Sequence, residues 1–554
     1  MTAPRPTLLT DPRVRAAYSE GAGIYRVVPE AVVRPASVVE LVAVVRAALA
    51  SGTPLVARGA GTGMAGGNVG TGIVVDLTHL DDTAIKLDTA AGTALTTAGA
   101  TFAALERAAQ PAGWRLPPSP SSWRWATLGG MVATNASGAR SFRHGSVRPW
   151  VLSLAMVTAD GEKVVLERGQ PADERVAAVR RFRSEAEPAL RAAADLIGKR
   201  FPRTRKNSFG YALNAWLRSG DLLDLVIGAE GTLGIVTEVG WRLGPIPPAR
   251  GGFRLAVPDD TALAAALGQL LGSGASAVEL LDRTFLEFVS GVLPEEDRAI
   301  AGRAAAILLV EFEGDAGEVE RWLDGWRRQL LPWTLDLRAA VGGQALDSLW
   351  EIRHAASPLL TRLTDGRRSL QVIEDGCVPP ERLADYLTAL RQISARHGVA
   401  MTLFGHAGDG HVHVNLLADV TQPGWERTVT DLFESVSEAQ IALGGTPSGE
   451  HGAGRLRAGL LERVYGREIV DLFRLVKRAF DPTGIMNPGV ILAGANRESP
   501  VTSGPIADLK VGADAVEIPA DIAEALRDIE QKGRWDRDRL ALADCRSPVL
   551  TADC

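Results

Sequence analysis

Three of the chain's eight histidines, His406, His411 and His413, fall together in FGHAGDGHVHVN, and a fourth, His451, follows Glu450 in SGEHGAG. HGVAMTLFGH reads as a β-run, and Ala407-Gly-Asp-Gly410 as a four-residue hairpin loop. If His406 pairs with His411, their side chains share a face, His413 points the same way two residues on, and Asn415 continues that face. Adjacent imidazoles repel when protonated, so a shared metal ion or a general-base role is the natural stabiliser. Two histidines and one carboxylate can hold a catalytic divalent metal with open positions, and Glu450 can supply the carboxylate. Its neighbour His451 lies between Gly449 and Gly452, on a loop able to bring backbone close to a ligand.

Three glycine-rich segments precede this cluster. In the first, Gly61-Thr-Gly63-Met-Ala-Gly66 fits the dinucleotide fingerprint literally, but that fingerprint needs a helix starting inside it. Gly67, Asn68, Val69, Gly70, Thr71 and Gly72 follow, and each glycine costs a helix about 1 kcal/mol. The element is therefore strand–loop–strand, PLVAR to IVVDL, with backbone N–H groups able to face a diphosphate. The second segment, PPSPSSWRWATLGGMVATNASGARSFRHG, carries Gly129, Gly130, Asn135, Ser137 and Gly138, small residues that let backbone approach a flat ligand. The third, GAEGTLGIVTEV, repeats the theme at Gly228, Glu230, Gly231 and Gly234.

The elements that must position these residues follow from periodicity. Ser37 and Glu40 fit a capping box before VVELVAVVRAALASG, which predicts a helix over 37–51. LSLAMVTADGEKVVL and GIVTEVGWRL read as strands, and GPIPPARGG, from 245, marks a domain boundary. From 252 to about 447 strands such as AAAILLVEFEG and HVHVNLLAD alternate with helices such as PPERLADYLTALRQISARHG, an α+β pattern. REIVDLFRLVKRAF makes a last helix, and the polar tail 498–554 carries one more around 520–531, with no function assigned.

Composition removes whole classes. Hydrophobic residues at 46% and charged residues at 23% exclude a disordered or collagen-like chain. A net charge of -6 argues against nucleic acid as a partner. Cys377, Cys545 and Cys554 are too few for a disulfide framework or for the four-cysteine ligation of an iron–sulfur cluster. The first residues lack the apolar stretch of a signal peptide, and no 18-residue apolar run occurs, so a cytoplasmic enzyme without a transmembrane segment is expected, free or peripheral at the inner membrane.

The three glycine segments, in this order, resemble the FAD-binding domain of the vanillyl-alcohol-oxidase and p-cresol-methylhydroxylase flavoprotein superfamily. Within it the chain resembles the FAD-linked branch of glycolate oxidase, D-lactate dehydrogenase and D-2-hydroxyglutarate dehydrogenase, from about residue 25 to 495. The resemblance implies an α+β protein: a two-subdomain FAD-binding domain of the p-cresol-methylhydroxylase type (1–248) and an antiparallel-sheet substrate or cap domain carrying the metal hairpin (249–447). A segment at 448–497 would close the active site, followed by the tail 498–554. It implies FAD pyrophosphate contacts from Arg58, Gly59, Gly61, Thr62, Gly63, Gly66, Gly67 and Asn68. Pro118, Ser119, Gly129, Gly130, Thr134, Ser137, Gly138, Glu230, Gly231 and Ile235 would line the isoalloxazine and ribityl chain, and Asn487 would lie on a segment returning to the flavin. Some relatives attach FAD through a histidine; the glycine loop has none, so FAD is expected to be non-covalent. His144 departs from the family, where an aromatic residue precedes the glycine.

The hairpin also resembles the family's H-x-G-D-G-N-x-H and E-H-G motifs. That implies His406, His413 and Glu450 as ligands of a divalent metal, Zn or Mn, and His451 as the base. His411 stands where relatives have asparagine and is either a further ligand or a narrowing of the site. The implied reaction is oxidation of a D-2-hydroxy acid. His451, neutral near pH 7, takes the hydroxyl proton, and hydride passes to the flavin. Arg353 is the candidate for the substrate carboxylate, because a guanidinium binds carboxylates bidentately, and Asn415 is its candidate hydrogen-bonding partner. Relatives with dicarboxylic substrates carry a lysine that VIEDGCVPP replaces with Val372, Ile373 and Glu374, an argument for a smaller acid than 2-hydroxyglutarate. Lys206 and Tyr211, in RKNSFGYAL, suggest structural roles. Electrons would leave to a separate quinone, cytochrome or electron-transfer flavoprotein; a homodimer is left open. The competing readings are a non-redox FAD enzyme of the ether-lipid synthase type, which lacks the G-D-G hairpin, and a flavin-binding subunit of a larger oxidase.

Overall fold

The computed structural model describes residues 7–354, 359–360, 363, 366–494, 506–512 and 515–544, so Cys545, Cys554 and the outer parts of the tail lie outside the described residues. The fold opens on a parallel sheet in which Ile73–Asp76 lies between Ala31–Val33 and Leu55–Arg58. These short apolar strands are buried on both faces, as parallel strands must be. Val33, Leu55 and Val75 meet the helix Val38–Ser51 on one face. Ser37 caps that helix as expected, accepting from the Glu40 N–H, but the Glu40 carboxylate bonds the Ala36 N–H, one residue short of a full capping box. The opposite face, through Val32, Val56 and Val74, packs on Tyr18 and on Ile522, Leu526 and Ile529 of the tail helix Ala520–Lys532. The tail is therefore part of the core.

An antiparallel five-stranded sheet follows, ordered Ile85–Asp88, Thr93–Thr97, Ile235–Arg242, Val151–Val157 and Lys163–Glu167. LSLAMVTADGEKVVL is two strands of this sheet, because Gly161 turns the chain at φ +70°. The second glycine segment holds a helix, Leu128–Thr134, that periodicity did not reveal. Thr127 caps it through the Gly130 N–H, and Asn135 ends it in the left-handed region. A Cβ on Gly129 would lie 2.6 Å from that of Ala98, so the glycines buy close packing that outweighs their poor helix propensity.

The second half of the chain is built on an eight-stranded antiparallel sheet. Its main path runs Asp336–Val341, Ala249–Val257, Ala306–Gly314, Ala277–Asp282, Ala400–His406, His411–Asp419 and Arg367–Leu370, with Gly376–Cys377 paired to His411–Asp419. Helices such as Asp260–Leu270, Leu383–His397 and Trp425–Ala442 pack on it through Leu263, Leu387 and Leu432. This is the expected α+β architecture. Arg115, Arg140 and His144 of the first half grip Glu313 and Glu311 of the second at 2.7, 2.7 and 2.8 Å. Burial would raise the Glu313 carboxyl, but His144 and Arg115 hold it well below the carboxylate range. His144, the family departure, thus ties the two halves together.

Helix Arg467–Phe480 fixes the return of the chain to the first sheet. Its buried Lys477 ammonium donates to Thr232 O (2.7 Å), Met486 O (2.6 Å) and Asp481 Oδ2 (2.7 Å). Lys477→Met leaves Asp481 buried without its cation, and the expected loss is about 3–5 kcal/mol, read as a lowered urea midpoint.

Candidate cofactor cavity and metal centre

A cavity of about 420 Å³ runs between the parallel sheet and the helix Leu128–Thr134, and the glycine loop forms one wall. Arg58, Gly59, Gly61, Thr62, Gly63, Gly67 and Asn68 line it, as do Gly129, Gly130, Thr134 and Ser137 from the second segment and Glu230, Gly231 and Ile235 from the third. Gly61 takes φ +83°, a conformation that favours glycine. Five residues expected here stand behind the wall. Gly66 packs on Tyr25 and Arg455. A Cβ on Gly138 would come 1.9 Å from Ser119 O, and Pro118 and Ser119 give way to Pro120, Ser121 and Ser122 at the cavity surface. Asn487 donates its Nδ2 to Gly67 O and Glu230 O, 2.8 Å each, fastening the first segment to the third.

Glu450 and His451 line the far end of the same cavity. The hairpin that meets them has the expected register: His406 pairs with His411, Phe404 with His413 and Thr402 with Asn415. A 3-10 turn over Ala407–Asp409 and Gly410 at φ +69° closes it. His406 Nε2 lies 3.3 Å from His413 Nε2 and 3.3 Å from Glu450 Oε1, and His413 Nε2 lies 3.5 Å from that oxygen. Ligands about 2.0–2.1 Å from a tetrahedral ion stand roughly 3.3 Å apart, so this triangle has the spacing of one face of such a site.

The remaining ring nitrogens set the direction of the lone pairs. His406 Nδ1 is held by Glu279 Oε1 at 2.5 Å, and His413 Nδ1–H donates to Glu374 O at 3.2 Å. Neutral rings so held would turn both Nε2 lone pairs toward Glu450, an arrangement that a cation stabilises. Glu450 Oε2 accepts from Ser137 Oγ (2.6 Å) and from the buried Lys206 ammonium (2.9 Å). Burial works against the carboxylate, but Lys206 and His406 hold Glu450 well below its usual range. These donors fit a divalent cation, and the small-residue cavity beside them fits FAD.

His411 turns its Nε2 to Asp375 Oδ1 at 2.8 Å while its Nδ1 lies 3.5 Å from Lys206. Burial and then Lys206 push its pKa down. It stays within reach of the metal set. His451 stacks on His413 at 5.5 Å, gives Nδ1–H to Glu374 Oε2 at 2.6 Å, and points Nε2 toward Glu450 Oε1 at 3.6 Å. A neutral His451 near pH 7, as expected of the base, requires a cation beside it. Burial opposes its charge, but the Glu374 and Asp375 carboxylates outweigh burial and push it up to about 10. Glu230 accepts from the Ala453 and Gly454 N–H groups just beyond, and burial lifts it to about 7.

Arg353 bonds Glu279 Oε2 at 3.2 Å and lies over the Phe404 ring, one carboxylate removed from His406. Asn415 accepts from Ser369 Oγ at 3.3 Å, on the strand that carries His413. No spacing in the sequence singles out Glu279, Asp375 or the Glu374 side chain for this site, and Lys206, expected to be structural, joins it. A glutamate inside the apolar strand Ala277–Asp282 is a signal that a buried partner awaits it. Lys206 also approaches Asp409 at 3.7 Å, which Ser141 of the second segment bonds at 2.6 Å.

Residues 29–167 match the FAD binding domain family, and residues 247–491 match the C-terminal domain of FAD linked oxidases. The chain is 30% identical to a D-lactate dehydrogenase of Archaeoglobus fulgidus, over 83% of this chain and 91% of that one. It is 28% identical to the glycolate oxidase subunit GlcD of Bacillus subtilis, over 85% and 90%. A D-2-hydroxyglutarate dehydrogenase of Pantoea ananatis is 29% identical over 93% of this chain, which spans about half (52%) of that longer protein. Among solved structures, p-cresol methylhydroxylase with substrate bound superposes with a TM-score of 0.62 at 15% identity, covering 88% of this chain and 94% of that one. An alkyldihydroxyacetonephosphate synthase superposes with a TM-score of 0.60 at 16% identity, over 87% and 82%. Both likenesses establish the fold. The match to the D-lactate dehydrogenase at 30% identity shows that the chain belongs to the FAD-linked 2-hydroxyacid dehydrogenase and oxidase family.

Proposed function

We propose that this enzyme oxidises a small D-2-hydroxy acid to the 2-oxo acid, with non-covalent FAD and a divalent ion, Zn or Mn, held by His406, His413 and Glu450. The observation that carries the reading is the ring of three converging acceptor atoms at the end of the FAD cavity, beside His451. When bound, FAD supplies the hydride acceptor, and the ion supplies Lewis acidity at the substrate oxygens and a charge that opposes protonation of His451. His451 takes the hydroxyl proton on Nε2 while Glu374 fixes its tautomer through Nδ1. The hydrogen on Cα leaves as hydride, and the C–O bond becomes a carbonyl. Arg353, already beside Glu279 and His406, receives the substrate carboxylate, and Asn415 supplies a hydrogen bond from the same sheet face. Ser137 and Lys206 keep Glu450 turned toward the histidines.

Val372, Ile373 and Glu374 stand where relatives carry a lysine for a second substrate carboxylate, which favours a lactate-like acid over a 2-hydroxyglutarate-like one. A separate acceptor, a quinone, cytochrome or electron-transfer flavoprotein, would take the electrons from the enzyme. The enzyme works in the cytoplasm or at the inner membrane surface; among the described residues no helix is long and apolar enough to cross a membrane. The test is a panel of D- and L-2-hydroxy acids with a dye acceptor. D-selective flavin bleaching is expected, with kcat/KM for D-lactate at least tenfold above that for D-2-hydroxyglutarate. Absence of bleaching with every hydroxy acid in the panel overturns the proposal and favours the non-redox alternative.

A further inference from the structure

The tail has no place in the family matches, which end at residue 491, yet it reaches the cofactor cavity. Helix Ala520–Lys532 packs its apolar side on the parallel sheet and stops at Gly533, which turns the chain at φ +61°. That turn rests on Trp125, whose ring would stand 3.1 Å from a Cβ on Gly533. Two residues later Trp535 enters the cavity wall, and Trp125 lines the same cavity. On the indole lies the guanidinium of Arg539, its Cζ 5.5 Å from the Trp535 ring centroid.

Arg539 is an unusual residue to bury. It is 6% exposed, and neither of its terminal nitrogens has a hydrogen-bond acceptor. The nearby carboxylates already have partners: Asp76 accepts from Tyr18 and Thr78, and Glu20 from Arg26. A second buried guanidinium, Arg58, hooks the carbonyls of Tyr18, Glu20 and Asn68 at the glycine loop. Burial and then Arg58 push Arg539 down to about 9. A buried guanidinium in the cavity wall, Arg58, backed by Arg539 behind Trp535, favours a ligand with a diphosphate, and an indole in the wall favours one with a flat ring.

We propose that Trp535 is a residue of the cofactor site, its indole packing on bound FAD, with Arg539 as the positioning residue that holds the indole from behind. The inference rests on FAD occupying this cavity. Trp535 then completes part of its wall, and cofactor retention depends on a residue outside both family matches.

The test titrates FAD into the flavin-depleted full-length chain and follows Kd, release rate and thermal midpoint with and without FAD. Trp535→Ala is expected to raise Kd about tenfold or more, to speed release, and to shrink the FAD-induced rise in midpoint; because the indole also packs on the apolar cluster that the tail helix shares with the sheet, the flavin-free midpoint falls as well, by less than the FAD-bound one. Trp535→Phe is expected to keep most of the affinity. Arg539→Met, which removes an unpaired buried charge, is expected to weaken FAD without lowering the flavin-free midpoint. A wild-type Kd and release rate in Trp535→Ala overturn the inference alone. So does an equal fall of both midpoints at unchanged Kd. A wild-type chain that takes up no FAD overturns this inference and the proposed function together.

Discussion

His451→Ala is expected to remain a yellow protein and to reduce its flavin about 10²- to 10⁴-fold more slowly than wild type under saturating D-2-hydroxy acid. The prediction separates two jobs. His451 lines the cavity, but the glycine loop and Ser137 surround the rest of it, so flavin retention does not hang on one ring. What is lost is the Nε2 base that Glu374 orients through Nδ1. Stopped-flow bleaching measures the effect directly. Normal bleaching in this variant would falsify the base assignment. Glu374→Gln should fall between the two proteins, because an amide still accepts from Nδ1 but no longer favours the imidazolium that forms as the proton arrives.

Removing the divalent ion is the second large effect. Chelation is expected to lower turnover by two orders of magnitude or more, since the Lewis-acid contribution amounts to several kcal/mol. FAD should remain bound, and Zn or Mn should restore the rate. His406→Ala, His413→Ala and Glu450→Gln should each lose the ion, read as metal content per chain. His411→Asn is the informative contrast. Its Nε2 faces Asp375, so metal content is expected to survive there. Full turnover after exhaustive chelation, with no metal left by elemental analysis, sinks the ion's role.

The legibility of the sequence varied with the range of the interaction. The hairpin register could be argued from Ala407–Gly410 alone, because a short turn fixes which residues face each other. The capped helix after Ser37 was equally local. The helix Leu128–Thr134 was hidden, since LGGMVAT reads as loop until Ala98 is known to pack against its glycines. The supporting carboxylates were hidden for the same reason. Glu279 is 127 residues from the His406 ring it holds, and Asp375 is 36 residues from His411. The charge on His451 followed from neighbours too: a lone imidazole titrates near 6.5, and only the placing of Glu374 and Asp375 beside it moves that value. Cavity lining by Pro120–Ser122, in place of Pro118 and Ser119, depends on how this loop packs against Gly138, which no spacing rule encodes.

One face of the first sheet is completed by the helix Ala520–Lys532, more than four hundred positions downstream of Val74. During synthesis, Val32, Val56 and Val74 therefore emerge from the ribosome long before their cover exists, a wait on the order of tens of seconds at about 5–20 residues per second. The nascent chain spends that interval with an aliphatic surface open to aggregation or to chaperone capture, and a premature stop before residue 520 leaves it so permanently.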